Sequence, residues 1–167
     1  MPGTISLFGR PTADIVDSAD WLAVVDRFGI VSARAVLLDQ LTVIQNLAMP
    51  FTLEIEPPAE DIRQRAIDLA ADVGLPDAAW TQPVGALDAA SRARIRLGRA
   101  LALDPGVLLL EHASAGLEPA VAAAFGADVR AIASRRGIAV IVVTAGRDVR
   151  RGGGAARARR GSRPPGA

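Results

Sequence analysis

The chain has 167 residues, half of them apolar, a formal net charge of +1 and no cysteine. Disulfides, thiol catalysis and Cys-ligated metal centres are therefore excluded, and the single histidine, His112, excludes a multi-histidine metal site. All 19 basic residues are arginine, so chemistry that needs a lysine, such as the phosphate lysine of a P-loop, is beyond this polypeptide.

The length suits one domain with a real core. Charge is unevenly spread: residues 1–150 hold 14 arginines against all 18 acids, while 151–167 hold five arginines and no acid. The body is mildly acidic, and residues 151–167, built from Arg, Gly, Ala, Ser and Pro, are expected to be a disordered tail. No apolar run reaches the ~18–20 residues of a membrane span. The N-terminus carries no charged start before a long apolar core, so no signal peptide is expected and a cytoplasmic protein is the expectation.

Thr4–Phe8 alternates and ends at Gly9-Arg10-Pro11, which predicts a short strand and a turn. Asp20–Arg27 reads as a short helix and Phe28–Ser32 as a buried strand. Leu41–Ala48 opens a helix that Pro50 ends. Ala59–Val73 places Ile62, Ala66, Leu69, Ala70 and Val73 at helical spacing before Gly74. Asp88 is a good N-cap for a helix over Ala89–Leu103, stopped at Asp104-Pro105. Val107–Leu110 suits a strand buried on both faces. Pro119 opens a helix through Arg135, with Gly137 as its C-terminal glycine. Ile138–Thr144 is a further apolar, β-branched strand. Helix, strand, helix, strand in the back half predicts an α/β fold with parallel strands and crossover helices.

Leu101–Pro119 runs through an Ala102-Leu103-Asp104-Pro105 turn into the apolar run Val107–Leu110, then Glu111-His112 and Ala115-Gly116-Leu117-Glu118. This stretch resembles the ATP-binding cassette (ABC) family of transporter ATPases: the turn before the Walker B strand, the acidic pair and the D-loop. Leu87–Leu101 is similar to the family's signature motif and helix. Gly29–Ala48 is similar to the Q-loop strand and the helix after it, and Val140–Ala145 to the strand carrying the switch histidine. The blocks follow the family's order across residues 3–148.

The resemblance implies a partial P-loop NTPase fold of the cassette type, with a helical subdomain at about 41–103. It also implies ATP and Mg²⁺ as ligands, and as partners a transmembrane transporter subunit and a second cassette, at the inner face of the cell membrane. Carried over position by position, the Q-loop glutamine is Ala33 and the signature residues are Asp88, Ala89, Ala90 and Ser91. The Walker B aspartate is Glu111, the catalytic glutamate is His112, and the switch histidine is Ala145. The Walker A loop should precede Gly3, so a truncated, degenerate member with little or no ATPase is expected.

Each position also has a plainer reading. Glu111 is either a Mg²⁺ ligand or an acid at a strand end. His112 is either a base near neutral pH or a polar residue at a crossover. Asp88 would repel a γ-phosphate presented across a dimer, and an N-cap role accounts for it without a ligand. Arg92, Arg94, Arg96 and Arg99 read as a solvated helix face. Two alternatives to an ATPase subunit stay open: a non-catalytic half that pairs with an intact cassette, and nucleic-acid binding through the arginine tail.

Overall fold

The computed structural model describes residues 3–143. The switch position Ala145, the end of the predicted strand at Thr144, and residues 151–167 lie outside them.

A hairpin opens the described chain. Strands β1 (Ser6–Leu7) and β2 (Arg10–Pro11) pair antiparallel. The two residues between them, Phe8 and Gly9, both have positive φ, 51° and 82°, as a tight two-residue hairpin turn requires. Helix α1 (Ser18–Val25) starts two residues before the predicted Asp20, because the Asp17 side chain caps it by accepting from Asp20 N at 2.8 Å. Strand β3 is Phe28–Ser32, as predicted.

Three helices follow: α2 (Val43–Ala48), α3 (Glu60–Asp72) and α4 (Ala89–Leu101). Helix α2 begins at Val43 rather than Leu41 because Thr42 and Gln45 form a reciprocal capping box. Strand β4 (Val107–Glu111), helix α5 (Pro119–Arg136) and strand β5 (Ala139–Val143) complete the order. Gly137 ends α5 in the left-handed conformation, φ 66°.

The main sheet is parallel with order β3-β4-β5. Gly29, Leu108 and Val140 share one row across it, and Ile30, Leu109 and Ile141 the next. Alternate residues point to opposite faces. On the face of Gly29, Val31, Leu108 and Leu110, burial is nearly complete across β3 and β4. Helix α4 comes so close there that a Cβ on Gly29 would lie 2.4 Å from Ala100 O. One cluster of buried side chains, centred on Leu47, Ile95, Leu97, Leu101 and Leu108, joins the sheet to the helices.

The opposite face corrects the expectation that Val107–Leu110 is buried on both sides. Leu109 is only half-buried, and its row-mates Ile30 and Ile141 are 55% and 42% exposed. On that face only the edge residue Phe28 is seen to meet an aromatic partner, Phe8 of the hairpin turn, with ring centroids 5.5 Å apart.

Candidate functional site

Two separate regions hold the residues singled out by sequence. The first is the carboxyl end of the parallel sheet, where open α/β sheets bind their ligands. Ser32, Glu111 and Val143 form the last row of the ladder, with Ala33 and His112 one residue beyond. The His112 backbone N–H donates to Val143 O at 3.0 Å, and His112 O accepts from Ala115 N at 2.9 Å. Between those two bonds His112 turns sharply, with φ 48°. Histidine tolerates this left-handed region better than most side chains. Glu111 and His112 are both half-buried.

The second region is the start of α4. The Asp88 carboxylate accepts from Ser91 N at 2.7 Å. This bond, with smaller help from the Ser91 side chain, holds the Asp88 carboxyl below the usual carboxylate range. Ala89, Ala90 and Ser91 form the first turn. Helix α4 runs back past the segment after β3: Ala100 meets Gly29, Arg96 meets Ala35 and Arg92 meets Asp39. Thirteen residues of helix separate Asp88 from the contact at Gly29 by about 20 Å. Among the described residues no hydrogen bond or ion pair joins the sheet-end set to the signature set.

The segment between β3 and α2 is pinned by a buried side chain that the sequence reading missed. Asn46, fully buried, accepts from Leu38 N at 3.0 Å and donates to Leu38 O at 3.0 Å and Thr42 O at 3.0 Å. A backbone ladder then joins this segment to the approach to α4, with Val84 N donating to Leu41 O and Gly85 N to Asp39 O, both at 2.9 Å.

The four α4 arginines are not a solvated face, which corrects that expectation. Arg92 pairs with Asp39 at 2.8 Å and Arg94 pairs with Asp128 on α5. Arg96 Nε donates to Ala35 O at 3.0 Å, and Arg99 donates to Val36 O at 2.8 Å. Arg96 and Arg99 line an open groove of about 330 Å³ with Ile30, Ala35, Met49, Pro50 and Ala100. No acid lies three or four residues from Arg94, Arg96 or Arg99, so none of the three can be neutralised along its own helix, and only Arg94 finds a carboxylate elsewhere, Asp128 on α5.

The donor set does not by itself fit Mg²⁺ or a nucleotide. Among the described residues no group of three His, Cys, Asp or Glu side chains could hold a metal ion. Glu111 offers one carboxylate, Mg²⁺ bound this way leans on substrate phosphates for the rest of its shell, and Ala33 offers no side-chain donor or acceptor. No helix among the described residues is long and apolar enough to cross a membrane.

This parallel sheet with a helical layer is the fold of an ATP-binding cassette. The structure matches cbiO1 from Clostridium perfringens, described as part of the ABC transporter complex cbiONQ, with TM-score 0.66 and 20% identity, over 81% of this chain and 53% of that one. It matches the dimeric ATP-binding cassette MJ0796 bound to ADP and Pi with TM-score 0.65 and 22% identity, over 87% and 63%. In sequence it is 30% identical over 138 residues to the methionine import ATP-binding protein MetN of Leifsonia xyli subsp. xyli, covering 78% of this chain and 40% of the relative. Identity to MetN of Sodalis glossinidius is 31% over 155 residues, covering 87% and 45%. No protein-family model matches the chain. The chain is a partial ATP-binding cassette, similar over most of its length to ATP-binding subunits of ABC transporters. It spans less than half the length of these curated relatives.

Proposed function

We propose that this chain contributes to the ATP-binding subunit of a transporter, with residues 41–103 as its helical subdomain, and that the 167-residue polypeptide turns over little or no ATP by itself. The observation that carries the first half is the 30–31% identity to ATP-binding import subunits over most of the chain, together with the cassette sheet. The second half rests on side-chain chemistry. Phosphoryl transfer depends on positioning and on stabilising spread negative charge. This polypeptide has no lysine, Ala33 at the Q-loop position and Ala145 at the switch position. Asp88 already spends its carboxylate on the α4 N-terminus. That charge would face the γ-phosphate of an opposed cassette, which disfavours a composite site with an intact partner. Pairing with a second cassette is then structural.

A nucleic-acid role finds little support in the body of the chain, because Arg92 and Arg94 are neutralised by Asp39 and Asp128. The proposed contact with a membrane-spanning subunit lies in residues 34–55, where Val36 is 74% and Leu38 38% exposed. The test is capture by the tagged chain of each membrane-spanning transporter subunit of its own organism, expressed one at a time. One subunit should bind the natural chain and be lost from Val36→Asp and Leu38→Asp. Equal capture by natural and substituted chains contradicts the reading.

A further inference from the structure

Helix α1 buries none of its residues. An isolated helix shorter than about 12–15 residues is marginal in water, and this one has eight. What holds it locally is polar: the Asp17 cap at 2.8 Å and the Arg10–Asp20 ion pair at 2.6 Å. Its apolar side chains gather on one stripe. Trp21, Leu22 and Val25 share a face of the helix and are 43%, 62% and 51% exposed. A single exposed apolar side chain needs no explanation, but several on one face with a charged rim mark an interaction surface.

The rim is acidic. Residues 10–27 hold four aspartates against two arginines. Arg10 is taken by Asp20, and the Arg27 guanidinium lies 3.5 Å from the centroid of the Phe8 ring. Asp17 stands at one end of α1 and Asp26 at the other. Asp14, Asp17 and Asp26 are exposed, and among the described residues none of the three forms an ion pair. Asp26 is at the carboxyl end of the helix, where the dipole disfavours an anion and favours a cation.

We propose that the Trp21, Leu22 and Val25 face docks an amphipathic helix of a partner polypeptide, apolar along its contact stripe, with arginine or lysine on its flanks opposite Asp17 and Asp26. Burial of the stripe supplies the attraction, and charge complementarity selects the partner. The acidic rim disfavours a membrane surface, because an anionic leaflet attracts basic segments. It also disfavours a second copy, since this face brought against itself across a two-fold axis sets aspartate against aspartate. Residues 151–167 of the same chain carry five arginines but no apolar side chain larger than proline, so they answer the charge without covering Trp21. The surface shares no residue with 34–55 and is independent of the contact placed there.

The experiment uses the full chain and a fluorescein-labelled helical peptide with a leucine stripe flanked by arginine, beside the same peptide flanked by glutamate, read by anisotropy at low salt. The arginine peptide should bind about tenfold more tightly, the worth of two good exposed ion pairs, and the preference should shrink as salt rises. Asp26→Lys should erase that preference, and Leu22→Ser should weaken both peptides by about tenfold or more. Both side chains are exposed, so neither substitution disturbs the core. Equal binding of the two peptides to the natural chain, or binding that Leu22→Ser leaves unchanged, overturns the proposal. So does a concentration-dependent dimer that Leu22→Ser dissociates, which makes a second copy the occupant. Binding to phosphatidylserine-containing vesicles that Leu22→Ser abolishes overturns it as well, and makes this a membrane face.

Discussion

Replacing Asn46 with alanine should unfix the whole segment between β3 and α2. Its amide lies fully buried and closes hydrogen bonds with Leu38 N, Leu38 O and Thr42 O, with a longer one to Leu41 O at 3.4 Å. Each buried backbone group left without a partner costs roughly 1–3 kcal/mol. Leu38 is 38% exposed, so water recovers part of that loss, and the expected total is about 3 kcal/mol. For a chain of this size that lowers Tm by about 6–12 °C. Asn46→Asp keeps the acceptor for Leu38 N–H but points a charge at three carbonyls. Burial against those dipoles raises the introduced carboxyl's folded pKa above its unfolded value. The protonated form is then the tolerated one, so the variant should be less destabilised at low pH and lose stability as pH rises through the folded pKa. The assay is thermal unfolding across pH, with amide exchange at Leu38 and Leu41. A loss below about 1 kcal/mol, or unchanged exchange protection, would refute the reasoning.

Three further outcomes follow from the same structure. Gly29→Ala places a Cβ 2.4 Å from Ala100 O and 2.9 Å from Leu108 Cδ2; forcing β3 and α4 apart should cost about 3 kcal/mol in urea unfolding, and a cost under about 1 kcal/mol would mean they separate freely. Asp88→Ala should lose about 0.5–2 kcal/mol of helix-cap stabilisation, whereas Asp88→Asn should keep the cap. Because the Asp88 carboxyl sits below its ordinary value, its pH-linked stabilisation is present above the unfolded carboxylate pKa and lost as pH falls through the folded value; an unchanged acid limb in Asp88→Asn would contradict this. At His112, φ 48° predicts that His112→Gly is more stable than His112→Ala by about 1 kcal/mol, measured by denaturant midpoints, with the reverse order refuting a strained backbone there.

Periodicity and turn residues made most elements legible. Phe28–Ser32 and the start of α4 at Ala89 match their predicted bounds because an apolar run and an Asp N-cap are local signals. Helix α2 started late because Thr42 and Gln45 cap its first turn reciprocally, a pattern present in the sequence but not weighed. Strand β4 looked buried on both faces because Val107–Leu110 is wholly apolar, yet which face is covered depends on elements far away in the chain. The site divided in the same way. Order along the chain located Glu111, His112 and Asp88, but only the structure shows that Asp88 spends its carboxylate on the first turn of α4 and makes no bond to the sheet-end pair. Arg96 and Arg99 were read as a wet face because their acceptors, Ala35 O and Val36 O, are about sixty residues away and carry no side-chain signature. Asn46 was passed over for the same reason, since its partners are backbone groups.

The central claim is that this polypeptide has the architecture of a cassette without the side chains for turnover. Phosphate release from the purified chain with Mg²⁺ and ATP, beside His112→Ala, tests it most directly. Losing one preorganised donor typically lowers the rate by roughly a hundred- to a thousandfold, so release from both proteins should equal the buffer background. Release above background that disappears in His112→Ala would contradict the claim and make His112 a working base.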